Sequence, residues 1–221
     1  MTIARLTSQT TELILVRHAA STRAQVGIWG RLYDAPLAEG FESQMALTRS
    51  KADLQFLSRD RIISSPLRRC LETAAFIFPG TAPEVVPEFR AFHSGDFEAV
   101  SESFIQLNYP EYLDMTFRGR FLNPRHGEES IEAQVRRIAR GLARVLADHD
   151  TTIVIVTHYS CLNIIANLGV RNWDINSHAD GKYDVALGSY FRLTIDPVAV
   201  LSDIEDQLAD VSDEYTEGLS L

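Results

Sequence analysis

The sequence predicts a three-layer α/β/α sandwich with a mostly parallel central sheet, and three observations carry that expectation. Short runs of branched aliphatics at Leu13–Val16 and Ile153–Val156 lack polar alternation, as strands covered on both faces do. These runs alternate with amphipathic stretches at helical period, the pattern of a sheet with helices on its faces. Three of the strand segments are followed within a few residues by arginine or histidine: Arg17 and His18, Arg68 and Arg69, and His158.

The elements follow in order. Leu13–Val16 forms the first strand. A long connection, Ala19 to Ala38, is rich in small and turn-type residues, and a connection of that length in a compact domain is usually functional. A helix is expected from about Glu42 to Leu57, then a strand over Arg61–Ser65. Ser65 and Pro66 suit the cap and first position of a helix through Leu71 and Ile77. Glu84–Val86 suggests a short strand, and the aromatics from Phe89 to Phe121 suggest a helical excursion over one end of the sheet. Ser130 opens a long amphipathic helix to about Ala147. Thr152–Thr157 echoes the first strand and ends on His158. A helix over Cys161–Leu168, one or two strands within Tyr183–Ile195, and a solvated acidic helix or tail complete the chain. No linker, repeat or low-complexity block interrupts residues 1–221, so one domain is expected, with its core at about 11–200 and an acidic segment at 201–221.

The charge is −9 overall, but seven acids and no Lys or Arg lie from Leu201 onward, which leaves residues 1–200 at only −2. That is not the basic footprint of a nucleic-acid binder. An anionic ligand must therefore be held by a local cluster of cations. Cys70 and Cys161 are the only cysteines and show no metal-type spacing. Met1–Thr11 has no apolar signal core, and the longest aliphatic runs are too short to cross a bilayer. The expectation is a cytoplasmic protein without membrane or nucleic-acid partners; a helix or sheet edge could serve a homodimer.

In a parallel sheet the carboxyl ends of the strands share one edge, so Arg17, His18, Arg69 and His158 can converge. Guanidinium forks match phosphate oxygens, so such a cluster suits a tetrahedral dianion. Leu15-Val-Arg-His18, Ser65-Pro-Leu-Arg-Arg69-Cys-Leu-Glu-Thr73-Ala and Val156-Thr-His158 together resemble the signature of the histidine phosphatase superfamily, the phosphoglycerate mutase-like proteins. Asp34-Ala-Pro36-Leu37 and Pro124-Arg-His-Gly127-Glu-Glu129-Ser130 resemble further family segments, in the family's order.

The resemblance implies a phosphoglycerate mutase-like fold and a phosphohistidine mechanism without cofactor or metal. His18 is then the nucleophile, and Arg17, Arg69 and a protonated His158 meet the charge on the transferring phosphoryl group. The chain departs from the family at Ala19 and Ala24, where a Gly and a phosphate-binding Asn are usual; Ser21, Thr22 or Arg23 could bind phosphate in place of that Asn. The usual general-acid positions hold Ala91 and Tyr159. His93 is the favoured substitute donor, with Glu88, Asp96, Glu98, His126 and Glu128 nearby in sequence. The expected function is hydrolysis of a small phosphorylated metabolite. A mutase-type transfer and a phosphate-binding pseudoenzyme are the alternatives. A cysteine phosphatase is disfavoured, since Phe76 and Asn167 stand where its Arg would follow Cys70 or Cys161.

Overall fold

The computed structural model describes residues 10–25, 27–43, 54, 58–148 and 150–216, without the side chains of 24, 25 and 210–216. Five strands, β1 (Thr11–Arg17), β2 (Arg61–Ser64), β3 (Glu84–Val85), β4 (Thr152–Thr157) and β5 (Tyr190–Ile195), form one sheet in the order β3-β2-β4-β1-β5. All pairings are parallel except β1 with β5. The mostly parallel sheet is as expected, and Tyr183–Ile195 contributes one strand, antiparallel at the edge.

The sheet has two apolar faces because side chains alternate along each strand. Leu13, Leu15, Ile63, Ile153 and Ile155 share one core with residues of α5 (Ile131–Leu146), α6 (Tyr159–Gly169) and α8 (Pro197–Thr216). Ile14, Val16, Ile62, Val154 and Val156 face the other way, against Cys70, Ala74 and Ile77 of α1 (Arg68–Ile77). The central strands are therefore hydrophobic on both faces, and the three layers follow.

The excursion is helical as expected: α2 (Glu102–Asn108), α3 (Pro110–Asp114) and α4 (Phe117–Leu122) surround a satellite core of Phe97, Ile105 and Tyr112. A further short helix, α7 (Ile175–Asp180), carries no clear sequence signal. The helix expected over Glu42–Leu57 lies mostly outside the described residues. Two boundaries shift. α1 begins at Arg68 rather than Pro66, with Ser65 Oγ accepting the Leu67 N–H at 3.3 Å instead of capping the helix. α6 begins two residues early, at Tyr159. Ser130 caps α5 as expected, its hydroxyl accepting from Ala133 N.

Candidate active site

Register brings the two histidines together. Arg17 pairs with Thr157 across the β1–β4 ladder, so the next residues, His18 and His158, leave the sheet side by side. Their ring centroids are 5.1 Å apart at 63°. His18 Nδ1 lies 2.7 Å from the Ala19 carbonyl, and a carbonyl only accepts, so Nδ1 carries the proton. Nε2 is left with its lone pair. Burial, then Arg69, draws the His18 pKa down to about 3, so the ring stays neutral near pH 7.

His158 is buried, with Arg69, Ser65 and the Cys70 thiol beside its ring nitrogens. Arg69 Nη2 stands 3.3 Å from its Nδ1, and a guanidinium only donates, so Nδ1 is unprotonated. Nε2–H then donates to Ser65 Oγ at 2.8 Å. Burial, then His18 and Arg69, holds His158 well below the usual imidazole range. In the unliganded protein His158 is thus a neutral ring, oriented by Arg69 and Ser65; the protonated His158 that the resemblance implies belongs to the state with a phosphoryl group bound.

The cations are fixed by backbone carbonyls. Arg17 Nη1 donates to Val185 O at 2.7 Å, its guanidinium lies 4.9 Å from the Tyr159 ring centroid, and its Nε is buried without a partner among the described residues. Arg69 is buried and donates to Arg31 O at 2.8 Å and Tyr33 O at 3.1 Å. Arg23 reaches Gly30 O at 3.3 Å. That carbonyl belongs to a turn that needs glycine: Gly30 has φ +100°, and a Cβ there would stand 2.2 Å from Glu98 Oε2. Glu98 in return accepts the N–H groups of Arg31 and Leu32, which ties the long connection to the excursion.

One cleft of about 320 Å³ collects these groups: Arg17, His18, Ser21, Arg23, Arg69 and His158 line it, with Arg31, Phe92 and Tyr159 among their neighbours. Six of the eight residues expected to act in catalysis or phosphate binding are thus together, and Thr22 is not in the lining. Arg31 is a site residue that the strand-end pattern does not mark, because it lies mid-loop; its place within the long Ala19–Ala38 connection is the one available signal. The four guanidiniums around the two neutral imidazoles disfavour a metal ion by charge. Among the described residues no group of three or more His, Cys, Asp or Glu is placed to hold one.

His93, the favoured proton donor, is likewise not brought in. Ala91 lines the cleft, whereas His93 lies outside its lining, its Nδ1 accepting Gly95 N–H at 2.8 Å and its N–H donating to Glu129 at 3.2 Å. The segment around Ala91 is held from behind by Glu129, which pairs with Arg90 and Arg137. The other carboxylates are used elsewhere: Glu88 with Arg144, Glu98 on backbone N–H groups, and Glu128 on the N–H groups of Arg125 and His126. The His126 ring sits against Phe97, Tyr109 and Tyr112. Asp96 also lies off the cleft, and no Asp or Glu is among the described residues that line it.

The family model of the histidine phosphatase superfamily (branch 1) matches residues 13–197. Phosphoserine phosphatase 1 of Hydrogenobacter thermophilus is 32% identical over 155 residues, 66% of this chain and 70% of that protein. Among solved structures, mycobacterial glucosyl-3-phosphoglycerate phosphatase superposes with a TM-score of 0.69 at 21% identity, covering 84% of this chain and 90% of that one. The alpha-ribazole phosphatase of Shigella flexneri gives 0.67 at 22% identity, over 82% and 89%. These two likenesses concern the fold.

Proposed function

Because the chain belongs to the histidine phosphatase superfamily, we propose that it hydrolyses a small phosphomonoester through a phosphohistidine on His18. The observation that carries this reading is the tautomer of His18: with Nδ1–H held by Ala19 O, the Nε2 lone pair is free to attack phosphorus in line. The P–O bond to the leaving group breaks as the N–P bond forms. Water then attacks the phosphohistidine, releasing phosphate and restoring the neutral ring. Arg17 and Arg69 offset charge on the equatorial oxygens. Arg23 and Ser21 offer the phosphoryl oxygens the hydrogen bonds that Ala24 cannot make. His158, held by Ser65, is oriented against the same group.

No metal enters this scheme, and two buried thiols, Cys70 and Cys161, suit a reducing compartment such as the cytoplasm. The test is a panel of phosphomonoesters with and without EDTA. Turnover is expected in both and is abolished in His18→Ala and Arg69→Ala; EDTA sensitivity would point to a metal instead.

The lack of an Asp or Glu in the described cleft lining favours a second reading, a phosphate-ligand-binding protein with little turnover. Tight vanadate binding without hydrolysis of any panel member would establish it. A mutase would instead return the phosphoryl group to a second hydroxyl rather than release phosphate.

A further inference from the structure

Arg17 and Arg69 line the same cleft but are not held alike. Arg69 has three partners, the carbonyls of Arg31 and Tyr33 and His158 Nδ1. Arg17 has one hydrogen-bond acceptor among the described residues, Val185 O at 2.7 Å, and its buried Nε has none. A guanidinium is a planar fork, and a fork held at one corner can turn about that corner. What else supports the plane is the Tyr159 ring, whose centroid lies 4.9 Å from the Arg17 guanidinium carbon.

Tyr159 is itself fixed. It opens α6, lines the cleft, and donates its hydroxyl to Gly181 O at 3.2 Å. Gly181 has φ +62°, and a Cβ there would stand 3.1 Å from the Tyr159 hydroxyl, so glycine is what lets the chain close on the ring. The hydroxyl proton is spent on that carbonyl, which leaves the ring face for Arg17.

The same helix sets the second support. Asn163, one turn on from Tyr159, is fully buried, and a buried amide needs partners. Its Nδ2 donates to Tyr159 O and to Tyr183 O, each at 3.0 Å, and its Oδ1 accepts the Tyr183 N–H at 2.7 Å. Tyr183 lies two residues before Val185, whose carbonyl holds Arg17. One turn of α6 therefore fixes both supports of Arg17: the ring directly, and the carbonyl through the 181–185 segment.

Resting on the phosphomonoester reading of this cleft, we propose that Tyr159 is a positioning residue for the reaction: its ring face holds the Arg17 guanidinium in the plane that meets the phosphoryl oxygens, and Asn163 keeps the two supports in step. A cation over an aromatic ring is worth about three- to thirtyfold in a binding constant. Tyr159 takes no part in proton transfer, and its effect passes through Arg17.

Orthovanadate, which takes the place of a phosphoryl group, tests this by calorimetry in variants made with and without Arg17→Gln. Tyr159→Leu is expected to raise the vanadate Kd about three- to thirtyfold, and Tyr159→Phe, which keeps the ring, to stay within about twofold of the wild type. Tyr159→pentafluorophenylalanine keeps the shape and packing of a phenyl ring but removes the electron-rich face, so it should weaken binding even where the leucine variant does not fold. In the Arg17→Gln background all of these changes should fall within about twofold of one another. A loss of equal size with and without Arg17, or a pentafluorophenylalanine variant that binds as well as Tyr159→Phe, would overturn the positioning role and leave the phosphomonoester reading standing. A wild-type protein that binds no vanadate would overturn both.

Discussion

Arg69 Nη2 points at His158 Nδ1 from 3.3 Å, so a cation that only donates and an imidazole that must accept share the floor of the cleft. The arrangement forces His158 to be neutral and, through Nε2–H to Ser65, fixes its plane.

Neutral histidines give a pH signature. The folded-state pKa of His18 is lowered to about 3 and that of His158 is lowered in the same direction, whereas both titrate near 6.5 when unfolded. Below about pH 6.5 the unfolded chain takes up protons that the fold refuses. The stability tied to these rings is therefore complete above about pH 6.5 and declines as pH falls toward about 3. Imidazole ¹⁵N shifts should show both rings neutral at about pH 5, and the fall in Tm from about pH 7.5 to 5 should be smaller in His18→Ala than in the wild type.

Turnover should depend steeply on the leaving group. With no carboxyl in the described cleft lining, the departing oxygen must leave with little help, which aryl phosphates tolerate and alkyl phosphates do not. Ala91→Glu places a carboxyl in the lining and is expected to raise alkyl-phosphate kcat toward the ~10²- to 10⁴-fold worth of a general acid, with much less effect on aryl substrates. His93→Ala, outside the lining, should not change the alkyl-to-aryl ratio.

Ser65→Ala tests the orientation of His158. It leaves the buried Nε2–H without its 2.8 Å partner, a cost of about 1–3 kcal/mol, and should lower both kcat and Tm. Ser65→Thr, keeping the hydroxyl, should recover much of each.

Gly30→Ala should be costly for a residue so far from the nucleophile. At φ +100°, with Glu98 in the way, an added methyl is expected to cost about 1–3 kcal/mol. A Tm drop of roughly 2–4 °C per kcal/mol, with a raised KM as Arg23 and Arg31 lose their seat, checks it.

The sheet is legible in the sequence because the central stretches of β1 and β4 are continuously apolar, as a strand buried on both faces is. Their ends are legible for the same reason: a charged side chain directly after such a run sits at the sheet edge, where a cleft can form. The helical excursion shows through its aromatics, but α7 does not, since six residues carry too little periodicity. Ser65 matches a helix cap locally yet serves His158, a contact across 93 residues that local pattern does not encode. Arg31 escapes the strand-end logic because its position depends on the Gly30 turn and on Glu98. The neutral state of His158 is invisible in the sequence because it depends on burial and on neighbouring cations, and both are set by the fold.

The central claim is that His18 Nε2 becomes phosphorylated. Rapid quenching of the protein with a radiophosphate-labelled aryl phosphate, followed by peptide mapping under alkaline conditions, reads this directly. An acid-labile, alkali-stable label on the peptide carrying His18, absent in His18→Ala together with turnover, is the predicted result. Undiminished hydrolysis by His18→Ala, with no labelled histidine in the wild type, would contradict it.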